Sequence, residues 1–361
     1  MTDLLYGEVE EQLRTTVRRM LDDRSPVRQV LARCEDGQPA DLDLWRVLAT
    51  EMGLAGLAVP ERYGGGGASW REVAVVCEEL GRAVTPVPYL GSAVVAAAAL
   101  LAVDDAELLT ALAGGTIVAL AVPFASVPGR PVAGFTAEGG TVSGSARGVV
   151  DALAADVLLV PTGAGLYAVD ATAEGVTRHP VVSLDLTRPI CDLTLERATA
   201  RLVAAGDAAE AAVAAALVTG AALLASEQLG VATWCLDETV SYLSTRHQFG
   251  RPVGSFQALK HRLADLWVEI TQARAAARYA AGCAATDDPD LPVAAALAQA
   301  FCSPVAVRAA EECVQLHGGI GFTWEHPAHL FLKRAKSAAI GFGTPDRHRA
   351  RLAELVDLPA A

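Results

Sequence analysis

Two stretches combine hydrogen-bond donors with glycines in a way that suits a phosphate group. The first runs Arg246-His247-Gln248-Phe249-Gly250-Arg251-Pro252-Val253-Gly254-Ser255-Phe256-Gln257, the second Gln315-Leu316-His317-Gly318-Gly319-Ile320-Gly321-Phe322-Thr323. An arginine at a helix end before a glycine turn offers a planar fork of donors that can grip a diphosphate bidentately. Paired glycines let backbone N–H groups approach a phosphate or a ring closely. Each feature has an ordinary alternative: Arg246 as a cation facing a helix C-terminus, and Gly318-Gly319 as an interhelical turn. Taken singly, motifs this short favour the ordinary reading. His247, His261 and His317 show no metal-ligand spacing, so no metal site is expected, and hydrogen bonding is the role expected of His247 and His317. Tyr63-Gly64-Gly65-Gly66-Gly67 is no phosphate loop, because no Lys-Ser/Thr follows it. Cys235 and Cys313, at helical positions, read as packing residues.

The elements that must position these residues are mostly helical. At about 150 residues per domain, 361 residues make two or three domains, long enough to bury a core without disulfides or metals. Hydrophobic residues are 52% of the chain and aromatics 5%, so alanine, leucine and valine carry the apolar content, a helix-rich composition. With 29 basic against 42 acidic residues the net charge is −13, which leaves no whole-chain basic footprint for nucleic acid or an anionic membrane. Seven scattered cysteines without a CxxC pair indicate neither a disulfide framework nor a zinc motif. Met1-Thr2-Asp3-Leu4-Leu5 lacks the basic start of a signal peptide. The longest apolar runs, Ala93–Val103 and Ala211–Ala225, are shorter than a membrane span. A soluble cytoplasmic protein is expected.

Residues 1–112 read as an all-helical region. Glu8–Asp22, Leu42–Met52 and Trp70–Ala83 are amphipathic, and the four glycines Gly64–Gly67 mark a turn. Residues 113–204 change texture: Thr116–Val122, Val157–Val160, Leu166–Val169 and Cys191–Leu195 are β-type runs, expected to form a small, reduced antiparallel domain. From 205 to 361 the helical pattern returns, with Asp207 as a candidate N-cap and Asp287-Asp288-Pro289-Asp290 separating two long helices.

Taken together with Trp45, Met52-Gly53-Leu54-Ala55-Gly56-Leu57-Ala58-Val59-Pro60-Glu61-Arg62-Tyr63-Gly64-Gly65 and Glu78-Glu79-Leu80-Gly81-Arg82-Ala83, the two stretches resemble the acyl-CoA dehydrogenase family over most of the chain. That resemblance implies a helical N-terminal domain, a middle β-domain and a C-terminal four-helix bundle that oligomerises. It implies a FAD flavoprotein that places a trans double bond α,β to an acyl-CoA thioester and passes electrons to an electron-transfer flavoprotein. In the family, a glutamate takes the α-proton and the flavin takes a hydride from the β-carbon. Residues of the two motifs hold the FAD diphosphate and adenosine of a neighbouring subunit; these roles carry over to Arg246, Gln248, Phe249, Gln315, Gly318 and Gly319, with Gln257 as a further contact.

The sequence departs from the family where chemistry is done. A base beside a thioester needs a carboxylate tuned by burial. The family carries it in a Tyr-Glu-Gly-Thr segment between the last two helices, but this chain reads Ile340-Gly341-Phe342-Gly343-Thr344. A minority of the family places the base on the first long C-terminal helix; the matching residue is Gly220. The next carboxylate, Glu227, lies about two turns on, roughly 10 Å along the axis, and is the one weak candidate base. Its ordinary reading is a helix residue that is exposed or paired with a cation. The family's Thr-Glu-Pro-x-x-Gly-Ser-Asp and Trp-Ile-Thr/Ser-Asn motifs, which meet the flavin ring, are replaced by Leu120–Pro128 and Ser145–Asp151. A chain able to clasp a FAD tail but not to seat the ring resembles one half of an α2β2 acyl-CoA dehydrogenase, a type that in actinobacteria often acts on steroid-derived acyl-CoAs. Alternatives are a homomeric enzyme using Glu227 and a flavin-free assembly subunit.

Overall fold

In the computed structural model, residues 4–37 and 40–358 are described; Met1-Thr2-Asp3, part of the segment read as lacking a signal peptide, fall outside them. The N-terminal helices are α1 (Glu8–Arg24), α2 (Val27–Glu35), α3 (Leu42–Arg46), α4 (Trp70–Arg82), α5 (Ala97–Val103) and α6 (Ala106–Ala113). Wide π-type turns at Val47–Glu51 and Tyr89–Ala96 extend α3 and lead into α5. Ser69 and Glu72 form a reciprocal capping box that starts α4. The glycine-rich turn folds back tightly: a Cβ on Gly65 would lie 2.1 Å from the Val59 carbonyl oxygen.

The middle region holds eight strands in two four-stranded sheets, twice the number of runs visible in the sequence. They are β1 (Val118–Leu120), β2 (Phe135–Glu138), β3 (Thr141–Val150), β4 (Val157–Thr162), β5 (Gly165–Asp170), β6 (Val176–Pro180), β7 (Ile190–Thr199) and β8 (Arg201–Ala205). One sheet has the order β1-β4-β5-β8, the other β2-β3-β7-β6. The expectation of one small antiparallel sheet needs correcting, because β1 and β4 pair in parallel, Val118 opposite Val157. Glycines and polar residues in β2, β3 and β6 hid those strands from a hydrophobicity reading, since only alternate residues meet the core.

The C-terminal region is α7 (Gly206–Thr245), α8 (Gln257–Ala285), α9 (Leu291–His317), α10 (Ala328–Ala338) and α11 (Pro345–Leu355). Helices α7, α8 and α9 pack on one another, and α11 lies along α9. Asp207 sits in the first turn of α7 rather than capping it; the cap position is Ala205. The apolar runs noted in sequence lie within longer elements, and Gly206–Thr245 and Leu291–Phe322 are long and apolar enough to cross a membrane. Most of each apolar window is buried within this fold, which accounts for the hydropathy as that of core helices. Helix α4 crosses α7 at contact distance because both supply glycine: a Cβ on Gly230 would lie 1.9 Å from the Glu78 carbonyl oxygen, and one on Gly81 2.1 Å from that of Glu227. Buried Gln228 of α7 donates to Ser303 Oγ at 2.9 Å and Gln299 donates to the Ala221 carbonyl at 2.7 Å, fixing α7 against α9.

Candidate functional site

The two places where the family carries its base converge on one spot, and that spot is filled. Phe342, in the turn between α10 and α11, is 2% exposed. Its ring lies against Gly220 of α7, where an added Cβ would be 2.7 Å from Phe342 Cζ. Phe342 adopts φ +55, a left-handed conformation unusual for a bulky residue. Its N–H donates to the Phe124 carbonyl at 2.7 Å, and the rings of Phe124 and Phe342 meet edge to face at 5.4 Å. Phe124 belongs to the stretch that replaces one flavin-ring motif. Its own N–H donates to the carbonyl of Gly148, in the stretch that replaces the other. A Cβ on Gly341 would lie 2.4 Å from Phe124 Cζ, so the aromatic pair is packed without slack.

Beside this plug lies a buried ionic cluster. Glu227 of α7, 4% exposed, accepts from Arg334 Nε of α10 at 2.8 Å and from Arg188 Nη2 on the β6–β7 loop. Arg334 also donates to the Thr187 carbonyl at 2.9 Å, and Arg188 lies over the Phe124 ring. Burial pushes the Glu227 carboxyl up, but the charges and hydrogen bonds of the two arginines outweigh it and hold the group below its ordinary value. A proton-abstracting base needs the reverse shift and a free lone pair, so this geometry speaks against Glu227 as the base. Its ordinary alternative, pairing with a cation, is what the fold provides. Arg188 and Arg334 were not singled out in the sequence; Arg334 carried a signal, since Leu330, Phe331, Arg334, Ala335 and Ala338 form one buried helical stripe. Nearby Asp151 accepts from Gly91 N at 2.9 Å, and burial pushes its carboxyl up to about 6. The cavity that Glu227, Arg334, Arg188, Asp151 and Tyr89 enclose measures about 10 Å³, one water at most.

The residues expected to meet a flavin tail occupy the opposite setting. Arg246 follows α7, Gln248 and Phe249 lie in a short hairpin (His247–Gln248 paired with Arg251–Pro252), and Gln257 begins α8. Gln315 lies in the last turn of α9, and Gly318 and Gly319 open the 3-10 turn that follows. All seven are exposed. Among the described residues, the side chains of Arg246, Gln248, Gln257 and Gln315 form no hydrogen bond or ion pair, and the Phe249 ring is 89% exposed. Tyr242, one turn before Arg246, stacks on His317 at 4.3 Å and so joins the ends of α7 and α9 that carry the two motifs. Tested against FAD, the chain fits in part. Its exposed donors suit a diphosphate and an adenosine presented by another chain. Its own interior, closed by Phe124 and Phe342, does not suit an isoalloxazine ring.

Two further features lie outside these sites. A cleft of about 640 Å³ opens between the Gly129–Val132 loop, the β4–β5 turn and the start of α7. Leu217 is the furthest α7 residue lining it, three positions short of Gly220. The second is a group that the spacing of His247, His261 and His317 does not suggest: folding brings His317 together with His326 and Glu238, their ligand atoms all within 4.8 Å of one another. His247 and His261 remain exposed and apart from that group.

Residues 7–106 match the acyl-CoA dehydrogenase N-terminal domain and residues 209–356 the acyl-CoA dehydrogenase C-terminal domain. The chain belongs to the acyl-CoA dehydrogenase family. It is 37% identical to acyl-CoA dehydrogenase IpdE2 of Mycolicibacterium smegmatis, over 96% of this chain and 98% of that one. Among solved structures it is similar to the ChsE4–ChsE5 complex from Mycobacterium tuberculosis, with a TM-score of 0.88 and 28% identity over 99% of this chain and 100% of that one. It is also similar to a variant of the Tcur3481–Tcur3483 steroid acyl-CoA dehydrogenase, with a TM-score of 0.85 and 31% identity over 98% and 99% of the two chains.

Proposed function

We propose that this chain is the flavin-completing subunit of a heteromeric acyl-CoA dehydrogenase, paired in an α2β2 assembly with a different chain of the same family that supplies the base and seats the flavin ring. The observation that carries this reading is the contrast at the two family sites: Phe342 fills the place of the base, while four hydrogen-bonding side chains of the tail site stand exposed and, among the described residues, without partners. In the assembly, Arg246 would take the FAD diphosphate with its guanidinium fork, and the N–H group of Gly319 would add a neutral donor, that of Gly318 being held by the Gln315 carbonyl. Gln248, Gln257 and Gln315 would bond the remaining polar edges, with Phe249 against the cofactor's flat surfaces. Bound FAD supplies the hydride acceptor for α,β-dehydrogenation of an acyl-CoA, and an electron-transfer flavoprotein reoxidises the enzyme. The similarity to a steroid acyl-CoA dehydrogenase and to the two-chain ChsE4–ChsE5 complex supports a steroid-derived acyl-CoA as substrate class and a second subunit as partner.

The homomeric reading with Glu227 as base is disfavoured by the two arginines that hold that carboxylate. A flavin-free assembly role is separated by Arg246→Ala in the co-expressed complex. Loss of flavin with the assembly intact supports the completing role; unchanged flavin occupancy rules it out.

A further inference from the structure

The cluster beneath the glycine turn has a different chemistry. We propose that Glu238, His317 and His326 form a binding site for a divalent transition-metal ion of the zinc class. Their three ligand atoms lie within 4.8 Å of one another, with His326 Nε2 3.5 Å from Glu238 Oε1. Small side-chain rotations bring such a set to the bond lengths of about 2.0–2.2 Å that zinc takes with imidazole and carboxylate.

The second observation is the state of His317. The residue is 3% exposed, and its Nε2 has no hydrogen-bond partner. Its Nδ1 lies 2.7 Å from the Cys313 carbonyl oxygen, which places the ring proton on Nδ1 and leaves the Nε2 lone pair free. A backbone carbonyl holding one imidazole nitrogen while the other faces a ligand is the usual support of a metal-bound histidine. The rings of Tyr242 and His326 pack against it, each with its centroid 4.3 Å away. Two imidazoles and one carboxylate suit Zn²⁺ or Co²⁺ rather than Mg²⁺ or Ca²⁺, which favour all-oxygen sites. Glu238 is partly exposed, so an ion has a path in and room for water ligands.

His326 Nδ1 accepts the Ala328 amide proton at 3.2 Å, so in the metal-free protein its own proton sits on Nε2, facing Glu238. Metal binding moves that proton to Nδ1 at the expense of the Ala328 contact, and the ring stays neutral. The ion would tie the end of α7 to the start of α10, around the turn that carries Gly318 and Gly319. The proposal is independent of the flavin reading.

Its test is a Co²⁺ titration of the tag-free, chelator-treated chain, followed by visible d–d absorption and thermal unfolding. One saturable equivalent per chain, displaced by Zn²⁺ and insensitive to Mg²⁺, with a raised Tm, is expected. Both signals should be lost in H326N and in E238Q, the latter at a partly exposed position and checked for native circular dichroism. Absence of a saturable band overturns the proposal. So does binding that survives both substitutions, or thiolate charge-transfer bands that place the ion on Cys235 and Cys313.

Discussion

The turn between α10 and α11 and the turn after α9 are both short connections at family motif positions, yet they have opposite characters. At the first, Phe342 is buried against Gly220 and Phe124, its backbone bonded to a neighbouring loop. At the second, Gly318 and Gly319 are exposed beside Gln315. An aromatic ring in place of a carboxylate removes the proton acceptor and contributes packing instead. The exposed turn has little packing to contribute, and among the described residues the Gln315 side chain beside it forms no hydrogen bond. One connection is part of the core, and the other is exposed.

The largest test of that contrast is Glu227→Gln. If Glu227 is the counter-ion of two buried arginines, the substitution leaves them under-compensated and costs about 3–5 kcal/mol, read by denaturant unfolding. A base on a flexible site would instead lose turnover with stability kept. Next, Phe342→Ala should cost about 3 kcal/mol or more through the cavity it leaves, whereas Phe249→Ala should stay within about 0.5 kcal/mol. Equal effects would erase the distinction between the two turns.

A smaller effect concerns pH. Burial holds His348, which packs by Gly343 next to the plug, down at about 4, and His329 of α10 similarly. The unfolded chain takes up these protons near the ordinary 6.5, so between 6.5 and about 4 it binds more protons than the folded one. The stabilising contribution is therefore complete above pH 6.5 and lost as pH falls toward 4. Asp151, raised to about 6, acts in the opposite sense: its contribution is present below its ordinary 3.8 and lost as pH rises through about 6. With two histidines against one aspartate, Tm should drop on acidification from 6.5, and less so in His348→Leu. The smallest effect expected is that of Arg246→Ala or Gln315→Ala on the isolated chain, within about 0.5 kcal/mol by thermal unfolding.

The order of helices, strands and helices was legible because helical periodicity and alanine content mark the outer regions and Asp287–Asp290 marks the α8–α9 break. The two stretches expected to meet a flavin tail stood out because each is contiguous in sequence. What was not legible depends on residues distant in sequence. Glu227 meets Arg188 39 positions before it and Arg334 107 after it, and no local pattern encodes that convergence. Phe124 and Phe342 likewise read as two unrelated replacements until the fold places one ring on the other. His317 and His326 are nine residues apart with a 3-10 turn between them, a spacing outside familiar ligand motifs, and Glu238 reaches them from another helix. Strands β2, β3 and β6 were hidden because half their residues face solvent or are glycine.

The central claim, that this chain completes a flavin site but does not hold a flavin itself, is tested most directly by flavin content. The chain should be colourless when purified alone, and co-expression with its partner dehydrogenase subunit should yield a yellow complex holding about one FAD per pair of chains. A yellow chain with one FAD bound in the absence of any partner would contradict the account.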